Sequence, residues 1–328
     1  MTVTIRVACS DEGYSAWRQV RLAVVPNERV DSAESLRAQA GPQHEFLLAE
    51  ADGVLAGSGV VGKSDMAGFG GVSARVLPDW RRRGVGTAIL RDLAGRAAQM
   101  GFTVVSCNVD DPGSVRFAER FGFREADRQV EQVRVIGDEP APQVPDGVEI
   151  LRVSERPELW RAVYDVVGAQ AFQDMALIAP LEISVEQWER DWITDPDAIF
   201  VALADGAVIG CAGLLPDTDE PGRAEHALTA VRRDWRRRGI AATLKRCTLA
   251  WAADHGLREV YTWTQRGNDD MRALNTHLGF STRTESLTMH ATLPLTGPSW
   301  PARPDRPVLT ARRSGRDAES PAESLQTG

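Results

Sequence analysis

Two stretches of the chain carry the same alternation of apolar runs and turns. Phe46-Leu47-Leu48-Ala49-Glu50-Ala51, Asp52-Gly53 and Val54-Leu55-Ala56-Gly57 read as two strands joined by a tight turn, because Asp-Gly between apolar runs is a strong hairpin signal. Phe200-Val201-Ala202-Leu203-Ala204, Asp205-Gly206 and Ala207-Val208-Ile209-Gly210 repeat that reading about 153 residues later. Beyond each hairpin the pattern predicts a strand (71–77; 225–231), a helix (84–100; 239–255) and a second strand (103–108; 259–265). A short helix follows in each half and is stopped by a glycine, Gly122 or Gly279.

The repetition is literal at one point. Asp79-Trp80-Arg81-Arg82-Arg83-Gly84 recurs as Asp234-Trp235-Arg236-Arg237-Arg238-Gly239, at an offset of 155. A random chain would show such a repeat roughly once in a thousand trials. Phe121-Gly122-Phe123 likewise parallels Leu278-Gly279-Phe280. The chain is therefore expected to hold two copies of one α/β unit, each a mixed, largely antiparallel (α+β) sheet flanked by helices. The copies span residues 1–136 and 148–293 and are joined by a Pro- and Asp-rich linker, 137–147. From Pro294 the prolines multiply and apolar residues thin out, so 294–328 is expected to be a disordered tail.

Composition narrows the function. The 328 residues are 43% hydrophobic and 26% charged, and no apolar run approaches the roughly 18 residues of a membrane span. Residues 1–18 lack the pattern of a secretory signal, so a cytoplasmic location is expected. A formal charge of −8 argues against nucleic acid as a partner. Cys9, Cys107, Cys211 and Cys247 stand far apart and form neither a disulfide framework nor a metal site; each reads as a small buried hydrophobe.

The chemistry lies where strand runs into helix. Arg81-x-x-Gly84-x-Gly86 and Arg236-x-x-Gly239-x-Ala241 each open a helix. Unpaired N–H groups and the positive end of the helix dipole make such a turn an anion cradle, and small residues let a pyrophosphate approach the backbone. A Walker loop would need Gly-Lys-Ser/Thr. The dinucleotide motif fails because Ile89 stands where its third glycine belongs.

Strand, Arg-x-x-Gly-x-Gly/Ala, helix, strand and a short helix ending in Gly-Phe resemble the GNAT superfamily of acetyl-CoA-dependent N-acetyltransferases, in both halves. The two-domain plan is similar to that of mycothiol synthases. The resemblance implies acetyl-CoA as cosubstrate and no metal. It places the coenzyme pyrophosphate on the backbone around Arg236, Arg238, Gly239, Ile240, Ala241, Ala242 and Thr243, and around Arg81, Arg83, Gly84, Val85, Gly86, Thr87 and Ala88. Pantetheine would pass between the strands flanking this helix, beside Val231, with Asn268 near the coenzyme.

Amide formation requires a neutral amine, and an alkyl amine of pKa near 10.4 is neutral in only about one molecule in 2,500 at pH 7. A positioned carboxylate supplies the base. Glu225, fourteen residues before Gly239, sits where several members of the superfamily carry a catalytic glutamate; fourteen before Gly84 stands Gly70. The expected catalytic half is therefore C-terminal, acting by direct attack of a primary amine of a small molecule. His226 is expected on the opposite face of the strand. The tyrosine that many members place four residues before the glycine of the closing Gly-Phe is replaced by Ala118 and Asn275. Asn275 could hydrogen-bond the sulfur without supplying a proton, so no general acid is assigned. An aromatic and acidic segment, Trp160, Tyr164, Phe172, Asp174, Glu182, Glu186, Trp188 and Trp192, is the candidate amine pocket. Two alternatives stay open: a non-catalytic acyl-CoA-binding module, and catalysis in the N-terminal half. The chain is expected as a monomer or homodimer.

Overall fold

The computed structural model describes residues 1–26, 29–176, 178–217 and 221–297. The N-terminal half contributes strands β1 (Val3–Val7), β2 (His44–Ala51), β3 (Val54–Lys63), β4 (Phe69–Val76), β5 (Val104–Val109) and β6 (Arg124–Val135). The C-terminal half contributes β7 (Glu149–Arg152), β8 (Ile199–Ala204), β9 (Ala207–Pro216), β10 (Arg223–Val231), β11 (Glu259–Gln265) and β12 (Ser281–Thr292). Both hairpin turns form as read. Asp52 and Asp205 adopt φ of 49° and are followed by Gly53 and Gly206 at 82° and 75°, the two left-handed residues that a type I′ turn requires.

The strands form one continuous sheet in the order β1-β2-β3-β4-β5-β12-β6-β11-β10-β9-β8-β7. This order is symmetric about the β12–β6 seam, and it shows an exchange. The last strand of each half pairs with the penultimate strand of the other, β6 with β11 and β12 with β5. The strands of the two copies are thus interlaced at the centre of this one sheet. Among the described residues only β4–β5 and β10–β11 are parallel. At the seam, Arg283 on β12 donates to both oxygens of Glu131 on β6, which is 2% exposed, and also to Glu259 on β11. Glu259 in turn accepts from Arg223 on β10. This ladder of charges fixes register across four strands, and a one-residue slip would strand the buried carboxylate.

Helices cover both faces. On one lie α1 (Asp11–Val24) and α2 (Ala33–Gln39), and in the C-terminal half α5 (Leu159–Val163), α6 (Ala169–Met175) and α7 (Val185–Asp191). On the other lie α3 (Val85–Gln99) and α4 (Pro112–Glu119), matched by α8 (Ile240–Asp254) and α9 (Asp269–His277). Ile89, Leu93, Val72, Val105 and Phe121 form the core under α3. Under α5–α7 the core is aromatic, with Trp160 stacked on Trp188 at 4.3 Å and Phe172 edge-on to Trp188.

The first residues of the expected tail, 294–297, pack on the N-terminal half. Leu295 is buried in the N-terminal core, and Arg91 of α3 donates to the carbonyls of Leu295, Thr296 and Gly297 at 2.9 Å. Once β12 has crossed into the N-terminal half, the chain leaving it finds the apolar surface its composition does not advertise. Residues 298–328 of the expected tail lie outside the described residues. Cys211 and Cys247 are buried, whereas Cys9 is exposed at the end of β1, where no layer covers it.

Candidate functional site

Both arginine-glycine turns adopt the same strained conformation. Arg82 and Gly84 have φ of 61° and 86°; Arg237 and Gly239 have 65° and 81°. A left-handed arginine costs roughly 1–2 kcal/mol, and keeping it in both copies marks a loop shaped for its backbone N–H groups. Gly84 and Gly239 sit at the N-caps of α3 and α8 with no side-chain cap, so the first N–H groups of each helix are unclaimed by a capping side chain. The arginines divide the labour. Arg81 and Arg236 turn back to the strand, donating from Nε to the Val76 and Val231 carbonyls. Arg83 and Arg238 lie over the rings of Trp80 and Trp235 at 5.4 and 4.7 Å. Arg233 and Arg236 both pair with Asp174, while Arg81, Arg82 and Arg83 form no ion pair among the described residues.

The parallel pairs open into forks. β10 and β11 pair only through Arg223↔Glu259, Ala224↔Val260 and Glu225↔Tyr261; β4 and β5 only through Phe69↔Val104, Gly70↔Val105 and Gly71↔Ser106. The forks differ in strand register. β10 shifts register against β9 between His226 and Thr229, whereas β4 runs against β3 without a shift. This β-bulge leaves Ala227 and Leu228 without a partner on β9, just past the last β10–β11 pair. It also corrects the alignment of the copies. The extra residue moves the counterpart of Glu225 from Gly70 to Gly71, which faces Ser106 as Glu225 faces Tyr261.

Glu225 lies in the wall of a cavity of about 760 Å³ on the α1/α5 side of the sheet. Tyr261, Trp263, Phe172, Met175 and Trp192 continue the C-terminal wall; Arg75, Ser106, Asn108, Asp127 and Gln129 belong to the N-terminal wall. Tyr261 donates to Asp217 at 3.1 Å under the Arg223 guanidinium, and burial with the neighbouring Glu225 and Asp217 carboxylates pushes its phenol up. Asp65, on the loop after β3, also lines the cavity, and burial pushes its carboxyl up. A strap closes one side: Ala67 and Glu182 exchange backbone hydrogen bonds with Pro180 and Asp65, and Lys63 pairs with Glu182 at 3.1 Å. Of the candidate amine-pocket residues, Phe172 and Trp192 reach the cavity. Trp160 and Trp188 are core, Tyr164 donates to the Ile183 carbonyl, and Asp174 and Glu182 are spent on ion pairs.

On the opposite face of the fork, His226 turns toward α8 and is 2% exposed. The Thr248 hydroxyl donates to the Lys245 carbonyl at 2.8 Å and lies 3.1 Å from His226 Nε2, and the buried His226 Nδ1 has no hydrogen-bond partner among the described residues. Asn275 is fully buried; its Nδ2 donates to Gln132 Oε1 at 3.0 Å and Thr264 Oγ1 at 3.3 Å, and its Oδ1 has no partner. Gln132 arrives on the exchanged strand β6, so both halves build this pocket. Thr243, 4% exposed, donates to the Gln143 carbonyl of the linker, and Asn268 is exposed at the start of α9. The polar N-terminal wall and Gln132 are not foreseeable from either half alone, because the strand exchange brings them to the site. Among the described residues no cluster of His, Cys, Asp and Glu is suited to hold a metal, and no helix is long and apolar enough to cross a membrane.

Comparison with known proteins fits this geometry. A family model described as acetyltransferase (GNAT) family matches residues 14–123 and 160–280. A mycothiol acetyltransferase of Salinispora arenicola is 34% identical over 143 residues, 42% of this chain and 44% of that protein, so the chain spans less than half of that relative's length. A mycothiol acetyltransferase of Geodermatophilus obscurus is 27% identical over 270 residues, 76% of this chain and 84% of that protein. Among solved structures, a tandem GNAT protein from the clavulanic acid biosynthesis pathway superposes with a TM-score of 0.71 at 20% identity, over 91% of this chain and 100% of that one. A GCN5-related N-acetyltransferase from Sphaerobacter thermophilus gives 0.68 at 19% identity, over 91% and 98%.

Proposed function

The chain belongs to the GNAT acetyltransferase family and is an N-acetyltransferase; from that premise we propose that its C-terminal half moves the acetyl group of acetyl-CoA to a primary amine of a small molecule held in the 760 Å³ cavity. The observation that carries the reading is the coincidence, at one level of the sheet, of three features: the fork of β10 and β11, the bulge at Ala227, and the Glu225 carboxylate beside both. The residues suit coenzyme A. The Gly239 turn offers helix N–H groups to a pyrophosphate, and the buried orphan atoms Asn275 Oδ1, His226 Nδ1 and Thr229 Oγ1 flank the fork through which a pantetheine arm would run.

Each step follows from these groups. The amine enters from the cavity and loses its proton to Glu225, directly or through water, which restores the lone pair. The carbonyl oxygen, as it gains charge, would take its hydrogen bonds from the N–H groups of Ala227 and Leu228, a role supported by their lack of a partner on β9. Polar side chains on the N-terminal wall suit an acceptor with a hydroxylated body, and a mycothiol-type acceptor, after the relatives' name, heads the series to be tried. A second reading, in which the N-terminal cradle also holds coenzyme A without turnover, is favoured by the absence of ion pairs on Arg81, Arg82 and Arg83 among the described residues. A thiol-release assay with acetyl-CoA and a panel of a mycothiol-type acceptor, amino sugars, amino acids, polyamines and aminoglycosides tests the proposal. Turnover with one amine class is expected; none with any amine would leave a binding module.

A further inference from the structure

The internal symmetry gives each C-terminal residue a counterpart in the N-terminal half, and one patch breaks that symmetry throughout. On the α8/α9 side of the fork stand His226, Thr229, Lys245, Thr248, Thr264 and Asn275. Their counterparts are Val72, Ala74, Leu90, Leu93, Val109 and Ala118, all of them apolar. Burying polar groups where the twin domain packs hydrocarbon costs stability, and the set is not satisfied internally.

Lys245 is the extreme member. It is 1% exposed, and among the described residues no carboxylate pairs with it; its Nζ lies 5.5 Å from the centroid of the Phe280 ring. From β10 it meets the neutral His226, and from the turn after α9 it meets Phe280. β10 and β11 stop pairing after Glu225↔Tyr261. Glu225 lies on the cavity face of β10 at that point, and His226 lies on the opposite face, against Thr248 and Lys245 of α8.

We propose, resting on the acetyl-CoA reading above, that Lys245 is the proton donor to the departing coenzyme A sulfur. The amine nitrogen bonds to the acetyl carbon, the C–S bond breaks, and its electron pair stays on sulfur. Sulfur takes a proton from the Lys245 ammonium, which becomes a neutral amine, while the proton shed by the substrate nitrogen rests on Glu225. Exchange with solvent resets both groups. Burial brings the Lys245 ammonium down to about 7, near the pH at which a general acid is most effective. Burial and the Lys245 charge push His226 well below its ordinary value, so at neutral pH the lysine holds the transferable proton.

The test compares calorimetric binding of coenzyme A with that of its analogue bearing hydrogen in place of the thiol, from pH 6 to 8. The wild-type protein should prefer the thiol by about tenfold at pH 7–8. Lys245→Met should erase that preference. It should also lower kcat by about 10²-fold with acceptor KM unchanged, and abolish the fall in kcat above about pH 7. Because Leu90 serves in the twin domain, this variant should melt no lower than the wild type. Equal wild-type affinity for both ligands overturns the inference, and it needs no variant. A Lys245→Met protein that keeps both the thiol preference and the pH limb also overturns it. Failure of either ligand to bind would refute the acetyl-CoA reading itself.

Discussion

Placing a carboxylate in one cradle at a time separates the two halves. Gly239 and Gly84 share nearly the same backbone, with φ of 81° and 86°, and a Cβ built at Gly239 meets nothing within 4 Å. Gly239→Glu therefore projects its side chain into the open cradle, and its cost in stability is the left-handed backbone, about 1–2 kcal/mol. At roughly 2–4 °C per kcal/mol this lowers the melting midpoint by about 2–8 °C, and Gly84→Glu should lower it comparably. The ligand cost is electrostatic. A carboxylate about 5 Å from a pyrophosphate with about two negative charges loses about 2 kcal/mol at the dielectric of water, or about 30-fold in affinity. Arg233 and Arg236, already paired with Asp174, do little to offset it. In a thiol-release assay at saturating acceptor, Gly239→Glu should raise the acetyl-CoA KM about 30-fold, with the penalty shrinking as salt is added. Gly84→Glu should leave that KM near wild type. The reverse pattern would refute assignment of catalysis to the C-terminal half.

Two further outcomes follow from the fold. Lys245 titrates at about 7 in the folded chain and near 10.4 unfolded, and His226 lies well below its unfolded value of about 6.5. In the window between folded and unfolded values the unfolded chain binds the additional proton, so stability must rise with pH. The melting midpoint should climb from pH 6 to 8, below the range where the thiols of unfolded Cys107, Cys211 and Cys247 ionise, and Lys245→Met should flatten the climb above pH 7; a midpoint that falls over this range would contradict the burial of both groups. Ending the chain after Phe280 removes β12, leaves β5 unpaired on one side and takes Met289 and Ala291 out of the N-terminal core. That chain should show no cooperative melting transition by calorimetry, whereas a midpoint within a few degrees of wild type would contradict the strand exchange.

The periodic elements were legible in the sequence because each half repeats its apolar pattern around two rigid landmarks, the Asp-Gly turn and the Arg-Gly turn. The exchange of β6 and β12 was not. The two strands are equivalents in the repeat and present matching faces to β5 and β11, so pairing within a half or across halves satisfies the same pattern. The counterpart of Glu225 was misplaced by one residue for a related reason: counting back from Gly239 assumes an unbroken strand, and the bulge at Ala227 adds a position that no composition signal marks. The polar patch around Lys245 was within reach, since aligning the two copies sets Lys245 against Leu90 and Asn275 against Ala118. What the sequence lacked was the fork, which sets these isolated polar substitutions on one face of the sheet where β10 and β11 part.

The proposed acetyl transfer depends most directly on Glu225. Single-turnover acetyl transfer by Glu225→Gln, measured with the best amine from the panel and with coenzyme binding checked by calorimetry, isolates the base from the binding machinery. The predicted result is a loss of about 10²–10⁴-fold in rate, partly recovered as pH rises and the free amine becomes abundant, with acetyl-CoA affinity unchanged. An unchanged rate at neutral pH would show that the amine loses its proton elsewhere and would contradict the assignment of Glu225.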